Sequence, residues 1–382
     1  MNKKLNLLVI IFLLLNPILD VTSFLNLPFS IIIRSLFLVS IVLYLFINKK
    51  ELKLLIPLLI FSIISFIYQY FYLKFGLTET VSSIFKFLYL PVSILFFKNY
   101  SLAAEKSKIE TIILITYLGI YLFSYLFKIG ANAYLPTDGK SGFKGLFSSI
   151  NEFSAIIVCL LPIAVNYLRS KKNYKVLIII LICSSIASLL IGTMVLMGGI
   201  IFTILYLIWN EKNFFLRQSK KIKIMVISLF VILITISGFL FTKTRTYKNM
   251  QVQQDFFKVD NIFSLEFINR VIYNDRLTFL DDNYTYYKNQ NIDKKLLGIS
   301  INNNDIKMVE IDIFDILFRY GIVGIILFVS SIITINFKEI KVYDKISMIL
   351  LVIISLTSGH VLIYPAVSIY FSLAVAKDKE GD

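Results

Sequence analysis

The chain has 382 residues, of which 57% are hydrophobic, 15% aromatic and only 16% charged. Together with a mean hydropathy of +0.79, this composition is typical of an integral membrane protein and excludes an ordinary soluble domain. The net charge of +15 lies mostly in short segments between apolar runs, so it indicates membrane topology and not nucleic-acid binding.

Apolar runs about as long as a helix that crosses roughly 30 Å of hydrocarbon follow one another along the chain. They cover residues 5–20, 31–47, 54–73, 81–97, 110–128, 151–168, 176–191, 195–209, 222–242, 313–335, 346–358 and 361–376. Because the runs lack the alternation of a barrel wall, the sequence predicts an all-α, polytopic, GT-C-like bundle of about twelve helices. Ten or eleven full crossings with a re-entrant piece is the alternative, since the last two runs are short.

One polar stretch, Lys243 to Asp312, interrupts this pattern. It predicts three parts: helices with short loops over residues 1–242, a long loop with much of the functional site over 243–312, and the last helices and tail over 313–382. Lys and Arg are concentrated in the loops on the side of the membrane opposite to this polar stretch, which indicates that those loops are cytoplasmic. We therefore predict a multi-pass protein of the cytoplasmic membrane with both termini cytoplasmic and the long loop extracytoplasmic.

The sequence lacks the motifs of common cofactor and metal sites. No phosphate-binding lysine loop, dinucleotide glycine fingerprint or zinc motif is present. Cys159 and Cys183 lie inside apolar runs without metal-ligand spacing. We therefore expect no cofactor and no metal.

Ionisable residues within apolar runs are costly unless they are paired or face water, so each is a functional candidate. Asp20 and Arg34 flank the first external turn, where they could form a purely structural pair. Lys86 lies about a third of the way into its run. Its ammonium group either snorkels to the interface or faces a lumen, where it would suit an anion such as a lipid diphosphate.

The end of the long loop carries acidic residues that run straight into a helix. Helical spacing places Asp312, Asp315 and Arg319 on one face, where Asp315 and Arg319 could also form a simple pair one turn apart. Upstream, Arg270 and Arg276 are close enough in sequence to clamp a diphosphate with two guanidinium groups, although exposed loop arginines are often only solvated.

His360 is the only histidine, and it is predicted in the outer turn between the last two helices. An imidazole beside a glycine at this boundary can be reached by water and can titrate near neutral pH, so it is a candidate general base.

Several of these segments resemble a known family. The resemblance rests on the run Glu310-Ile311-Asp312-Ile313-Phe314-Asp315, on Gly359-His360-Val361, and on the stretch from Gly142 to Ser154, which contains Asn151. They look like motifs of the Wzy-type oligosaccharide repeat-unit polymerases of bacterial capsules and are similar to those of O-antigen ligases of the same superfamily. One departure is Met194, which follows Gly192-Thr193 where a basic residue often stands in the family.

The resemblance implies a metal-independent, inverting glycosyl transfer outside the cytoplasm. A glycan on a polyprenyl diphosphate (undecaprenyl diphosphate in bacteria) would move onto a hydroxyl of another lipid-linked repeat unit, in the synthesis of capsule, exopolysaccharide or O-antigen. The partners implied are the lipid-linked donor and acceptor and the bilayer, with a chain-length regulator and a flippase as further partners, and no nucleic acid.

On this basis three roles are expected of the residues. Catalytic roles fall to His360, Glu310 and Asp312, with His360 or Glu310 as the general base. Diphosphate binding falls to Arg270, Arg276 and Arg319, with Arg34 and Lys86 as auxiliary residues. Substrate positioning falls to Asp315, Asn151, Tyr284 and Tyr286, with Tyr287 beside them.

Two alternatives to a polymerase remain open. A ligase would use the same donor and differ in the acceptor. A lipid-linked oligosaccharide flippase, or another carrier, would also have about twelve helices and buried cations, but carriers usually show broken helices and short loops on both faces. A metal-dependent glycosyltransferase is disfavoured, because the first external loop has no carboxylate beyond Asp20.

Overall fold

The computed structural model describes residues 3–102, 106–134, 140–210, 244–258, 264–299 and 308–378. Within these ranges it is a bundle of helices with four very short strands. The elements are α1 (Lys3–Phe24), α2 (Phe29–Ile47), α3 (Leu52–Ile67, continued by a π-helical turn, Tyr68–Tyr72), α4 (Leu77–Asn99), β1 (Ser101–Leu102), α5 (Lys106–Leu126), β2 (Ala131–Asn132), β3 (Phe143–Gly145), α6 (Ile150–Ser170), α7 (Tyr174–Ile191), α8 (Met194–Asn210), α9 (Arg245–Phe257), α10 (Leu265–Phe267, continued by a π-helical turn, Ile268–Ile272), α11 (Arg276–Lys288), α12 (Ile292–Leu297), α13 (Asp312–Ile333), α14 (Val342–Thr357), α15 (Pro365–Leu373) and β4 (Lys377–Asp378).

The prediction of a polytopic all-α membrane bundle is confirmed. Eight helices of the described residues are long and apolar enough to cross a membrane, and α8 is a shorter apolar helix. Helices α14 and α15 have 16 and 9 residues, in line with the short final runs of the sequence. The predicted ninth run, residues 222–242, lies outside the described residues.

The two ends of the bundle differ in chemistry. At one end, which we call the lysine end, Lys98 pairs with Glu51 at 3.0 Å and Lys106 pairs with Asp344 at 2.8 Å. Strands β1 and β4 also pair there, in parallel. The other end, which we call the loop end, carries the α1–α2 and α7–α8 turns and the described parts of the long loop, residues 244–258, 264–299 and 308–311.

Helix α6 lies at the centre of the bundle, with 78% of its apolar window buried. It contacts α5, α8, α14 and α15. Its first turn is capped by Ser149, whose hydroxyl oxygen accepts a hydrogen bond from the backbone N–H of Glu152 at 3.3 Å; such a cap satisfies an N–H group that the helix leaves unpaired. The cap fixes the start of α6, and with it Asn151 and Glu152, at the loop end.

The long loop is attached to the α7–α8 junction. Arg245 of α9 donates a hydrogen bond to the carbonyl of Leu190 at 2.7 Å. The side chain of Asn249 bonds both backbone groups of Ser141, at 2.8 and 3.0 Å, and the carbonyl of Gly192 at 3.3 Å. Because these bonds satisfy the open carbonyls at the end of α7, α9 is held against the membrane helices.

Helix α13 contains a break that receives the end of α12. Gly321 has φ 68° and ψ −171°, and the N–H of Ile299 donates to the carbonyl of Phe318 at 2.8 Å across the break. A Cβ at Gly321 would lie 2.3 Å from the carbonyl oxygen of Leu296, and a Cβ at Gly298 would lie 2.2 Å from that of Arg319. The break therefore requires glycine at both positions. It kinks α13, so the turns before Gly321 are not a straight continuation of the turns after it.

We expect Gly321→Ala to lower the stability of the fold by about 1–3 kcal/mol, since the new Cβ meets backbone and its φ is left-handed. The check is the midpoint of thermal unfolding of the purified protein in detergent. Gly198→Ala is the matched control, because a Cβ there has no described atom within 4 Å. Equal midpoints for the two variants would contradict this account of the break.

Candidate functional site

A buried arginine connects the long loop to the end of α14. Arg276 begins α11 and is only 8% exposed. Its guanidinium group donates to the carboxylate of Glu310 at 2.5 Å and to the carbonyl of Thr357 at 2.9 Å. The Nε atom is buried and has no hydrogen-bond partner among the described residues. A donor without a partner is costly in an interior, so this site is suited to an additional acceptor.

A polar cleft lies next to this arginine. It has a volume of about 220 Å³. It is bounded by the long loop on one side and by α6 and the α7–α8 junction on the other. Its lining comprises Tyr134, Lys140, Ile150, Asn151, Gly192, Thr193, Met194, Val195, Thr246, Asn249, Met250, Gln253, Val271, Asn274, Arg276, Glu310 and Ser358. Amide, hydroxyl and charged groups in one concave site of this kind can bind a polar ligand.

The carboxylate of Asp312 holds the turn between α14 and α15. It accepts hydrogen bonds from the backbone N–H groups of His360 at 2.9 Å, Val361 at 2.9 Å and Leu362 at 2.7 Å. Asp312 is 1% exposed. Gly359 and His360 both have left-handed φ values, 62° and 64°, and this conformation turns successive N–H groups towards one anion. Asp312 therefore acts on the turn through the backbone, and both of its oxygens are occupied.

His360 is a neutral base candidate in this turn. Its ring lies 4.4 Å from that of Tyr364, and its Nδ1 atom is buried without a hydrogen-bond partner among the described residues. Burial lowers the pKa of His360; Glu310 opposes the shift, and Arg276 and Lys86 add to it. The imidazole is therefore in its neutral form at neutral pH and can accept a proton.

The other predicted cations of the outer boundary lie near this turn or within the bundle. Lys86 is placed over the ring of Tyr364, 5.4 Å from its centroid. The guanidinium of Arg319 approaches the sulfur of Met308 at 3.8 Å. The carboxylate of Asp315 accepts from the N–H of Val309 at 3.1 Å, so it supports the approach to α13 and does not pair with Arg319.

Arg34 lies inside the bundle and forms the ion pair that its sequence position allows. It pairs with Asp20 at 2.5 Å and donates to Ser30 at 2.7 Å and Asn16 at 3.2 Å. The hydroxyl of Tyr117 donates to the other oxygen of Asp20. This network joins α1, α2 and α5, which is a structural role.

Arg270 and the tyrosines of α11 have surroundings different from those of Arg276. Arg270 pairs with Glu266 at 3.1 Å, its side chain is 41% exposed, and it packs over the ring of Phe257. It does not line the cleft, so the structure does not bring the two arginines of the predicted clamp together. Tyr284 and Tyr286 are exposed.

Tyr287, by contrast, is buried. Its hydroxyl donates to the carbonyl of Lys295 at 2.5 Å, and its ring packs against that of Phe318 with the centroids 5.6 Å apart. It therefore joins α11 to α12 and α13, whereas its two exposed neighbours remain free for contact with a ligand.

Several polar residues of the cleft were not singled out from the sequence. They are the amides Asn249, Gln253 and Asn274, the hydroxyl of Thr193, and Lys140. Their spacing in the sequence does not indicate a shared site, because the contact between α9 and the α7–α8 junction is what brings them together. Glu152, which follows Asn151, is a further residue that the sequence did not single out, and its charge contributes to the electrostatic surroundings of Tyr364.

A comparison with known families bears on this end of the chain. Residues 242–377 match the family model described as O-antigen ligase like membrane protein. No curated protein matches the chain. The matched stretch contains Arg276, Glu310, Asp312 and His360. For this stretch, which is less than half of the chain, the match supports the O-antigen ligase-like superfamily of membrane proteins, which is related to O-antigen and polysaccharide processing.

We expect Asp312→Ala to lower stability by at least about 2 kcal/mol, because three buried N–H groups lose their acceptor. The measurement is again the thermal unfolding midpoint in detergent. Asp281→Ala, at an exposed position of α11, is the control and should leave the midpoint unchanged. A normal midpoint for Asp312→Ala would show that the carboxylate does not hold the turn.

Proposed function

We propose that the chain is a metal-independent, inverting glycosyltransferase that polymerises lipid-linked oligosaccharide repeat units. It transfers a glycan from a polyprenyl diphosphate to a hydroxyl group of another lipid-linked unit at the outer face of the bacterial cytoplasmic membrane. The observation that carries the proposal is that Arg276, Glu310 and His360 interact at the loop end, beside a polar cleft, within the stretch that matches the family model.

The donor side requires cations where the diphosphate leaves. A guanidinium group binds phosphate oxygens through charge-assisted hydrogen bonds. Arg276 is largely desolvated and its buried Nε–H group has no acceptor among the described residues, so it can stabilise the developing charge strongly. Lys86 and Arg319 contribute further positive charge in the same region of the loop end.

The acceptor side requires a base for the attacking hydroxyl. We assign this role to His360, since its lowered pKa leaves the imidazole neutral and able to accept a proton at neutral pH. Glu310 is the second candidate, but in this structure its carboxylate is engaged by Arg276. Asp312 keeps His360 in place through the three backbone hydrogen bonds and so acts as a positioning residue.

The charge distribution supports an external site. Lys49, Lys50, Lys171 and Lys172 lie in turns at the lysine end, where Lys98 ends α4, and such residues remain in the cytoplasm. On this rule the loop end faces outwards, and α1 begins on the cytoplasmic side. The pairing of β1 with β4 brings the last described residues to the same side.

A ligase is the second candidate, and the description of the matching family favours it. It would use the same donor and transfer the glycan to a different acceptor. A carrier is the third candidate. The break of α13 at Gly321 is a feature that carriers share, but here the end of α12 occupies it.

The three candidates are separated by the lipid-linked glycans of cells that lack the chain. A polymerase predicts single lipid-linked repeats on the outer face and no long polymer. A ligase predicts lipid-linked polymer that is not passed on, and a flippase predicts repeats trapped on the cytoplasmic face. Either of the last two profiles would overturn the proposal.

We expect Arg276→Ala to lower kcat/KM for the lipid-linked donor by more than tenfold, since a charge-assisted contact to a charged group contributes about 1.5–3 kcal/mol. Arg270→Ala is the matched control from the same loop, and its effect should be less than about twofold, because its charge is exposed. Both variants are compared at equal amounts of folded protein. A normal rate for Arg276→Ala, or an equal loss for both, would refute the role of Arg276.

The lowered pKa of His360 also predicts the pH dependence. The base is active when neutral, so activity falls as the pH falls through the pKa of the folded protein. Because that pKa is lowered, the acid limb of the kcat/KM profile should lie below the ordinary histidine value of about 6.5. His360→Gln should reduce the rate and remove this limb. An unchanged limb in His360→Gln would assign it to another group, with Glu310 the first to test.

A further inference from the structure

An apolar groove opens at the side of the bundle in its outer half. It lies between α1 and α5 and has a volume of about 460 Å³. Its lining is Ile18, Val21, Gly119, Ile120, Phe123 and Leu146. These positions lie within roughly 10 Å of the loop-end termini of α1 and α5, at 1.5 Å per residue. The groove is therefore at the depth where the tail of a lipid with its head group at the loop end would begin.

The glycine in this groove needs an explanation. Glycine in a helix interior costs about 1 kcal/mol relative to alanine, and in membrane helices it usually permits close helix packing. That explanation does not apply to Gly119, because a Cβ there would have no described atom within 4 Å. Gly119 instead leaves space in the wall of the groove.

A cation stands at the outer end of the groove. Lys144 of β3 lies over the ring of Phe24, the last residue of α1, with its Nζ atom 5.9 Å from the centroid. The next residues, Gly145 and Leu146, lead into the groove, where a Cβ at Gly145 would lie 2.6 Å from the hydroxyl of Ser124 in α5. Because the apolar groove ends at an ammonium group, it complements a lipid with an anionic head group.

The same segment connects the groove to the cleft. Lys140 lines the cleft and Leu146 lines the groove, and the residues between them span at most about 20 Å when extended. The β2–β3 hairpin thus borders the cleft on one side and the groove on the other. A lipid with its head at the cleft could place its first tail segment in the groove without crossing the bundle.

From this geometry we infer that the α1–α5 groove binds the isoprenoid tail of a polyprenyl diphosphate substrate, with Lys144 at the end of the groove that faces the head group. The inference rests on the proposed function for the identity of the lipid. It adds a tail-binding surface in the N-terminal half, outside the stretch that matches the family model. A second apolar groove, between α1 and α2, begins with Lys4 at the lysine end and serves as the internal comparison.

The first test needs no variant. The full-length protein in phospholipid nanodiscs is incubated with a polyprenyl diphosphate that carries a photoreactive group in its second isoprene unit, and adducts are mapped by mass spectrometry. We expect adducts at residues 18–21 and 119–123, competed by unlabelled polyprenyl diphosphate and not by added phospholipid. Adducts that phospholipid competes equally, or that fall equally in the α1–α2 groove, would show an ordinary membrane lipid and overturn the inference.

The second test fills the groove. Gly119→Leu should raise KM about tenfold for a long-tailed donor, the loss expected when roughly two methylene groups lose their contacts. It should leave KM unchanged for a donor whose tail is a single isoprene unit, which ends short of Gly119. Gly198→Leu is the matched control, since its Cβ also has no described atom within 4 Å, and it should change neither value. Equal KM values for Gly119→Leu and the control would overturn the inference.

The outcomes separate this inference from the proposed function. If specific adducts form in the groove but the protein transfers no glycan, the tail-binding inference is supported and the proposed transferase function is refuted. If the protein transfers glycan but the adducts lie elsewhere, the transferase function is supported and the tail-binding inference is overturned.

Discussion

The arrangement of the loop end depends on the carboxylate of Asp312 and the three backbone N–H groups that surround it. A carboxylate in a buried site must be satisfied by hydrogen bonds or lose its charge. Here the chain supplies them by turning twice through left-handed conformations at Gly359 and His360. A Cβ at position 359 would lie 2.6 Å from the carbonyl oxygen of Glu310, so glycine is required there. One interaction thus fixes His360, the backbone of Glu310 and the start of α13 relative to one another.

The other junctions of the site follow the same principle, because each uses glycine to bring backbone from two distant segments together. Gly192 allows Asn249 of the long loop to reach the end of α7, and Gly298 and Gly321 allow α12 to enter α13. These glycines hold the loop on the membrane helices and carry no chemistry themselves. The reactive side chains can then be placed on short helices, since the segments that bear them are fixed by backbone contacts.

The sequence predicted the parts of this structure that depend on composition and helical period. The apolar runs located the membrane helices. Because successive helices cross the membrane in alternating directions, the order of the runs placed Asp20, Arg34 and His360 at one end. The pairing of Asp20 with Arg34 also follows, because the two residues flank a short turn. In each case the relevant distance along the chain is short, or the direction of the helix alone decides the position.

The sequence could not predict contacts that depend on the conformation of the long loop. Arg270 and Arg276 are six residues apart in the same polar segment. The backbone between them contains part of a π-helical turn and two left-handed residues, so the two side chains point in different directions. Arg276 reaches Thr357, 81 positions along the chain, and such a partner leaves no trace in local spacing. The hydrogen-bond donors to Asp312 are equally hidden, since they are backbone N–H groups and almost any sequence supplies them.

The Arg276–Glu310 pair shows how the site can remain folded without substrate and still bind an anion. A buried guanidinium without a counterion is strongly destabilising, so the arginine needs a carboxylate before the diphosphate arrives. The side chain of Glu310 is 36% exposed, whereas that of Arg276 is 10% exposed. The carboxylate can therefore move into solvent while the arginine stays in place. A diphosphate that replaced it would keep the charge balance of Arg276 and would place more negative charge near His360 than the single carboxylate it displaces, which favours the protonated imidazole. In the proposed transfer, donor binding would thereby make His360 a stronger base at the moment when the acceptor hydroxyl must lose its proton.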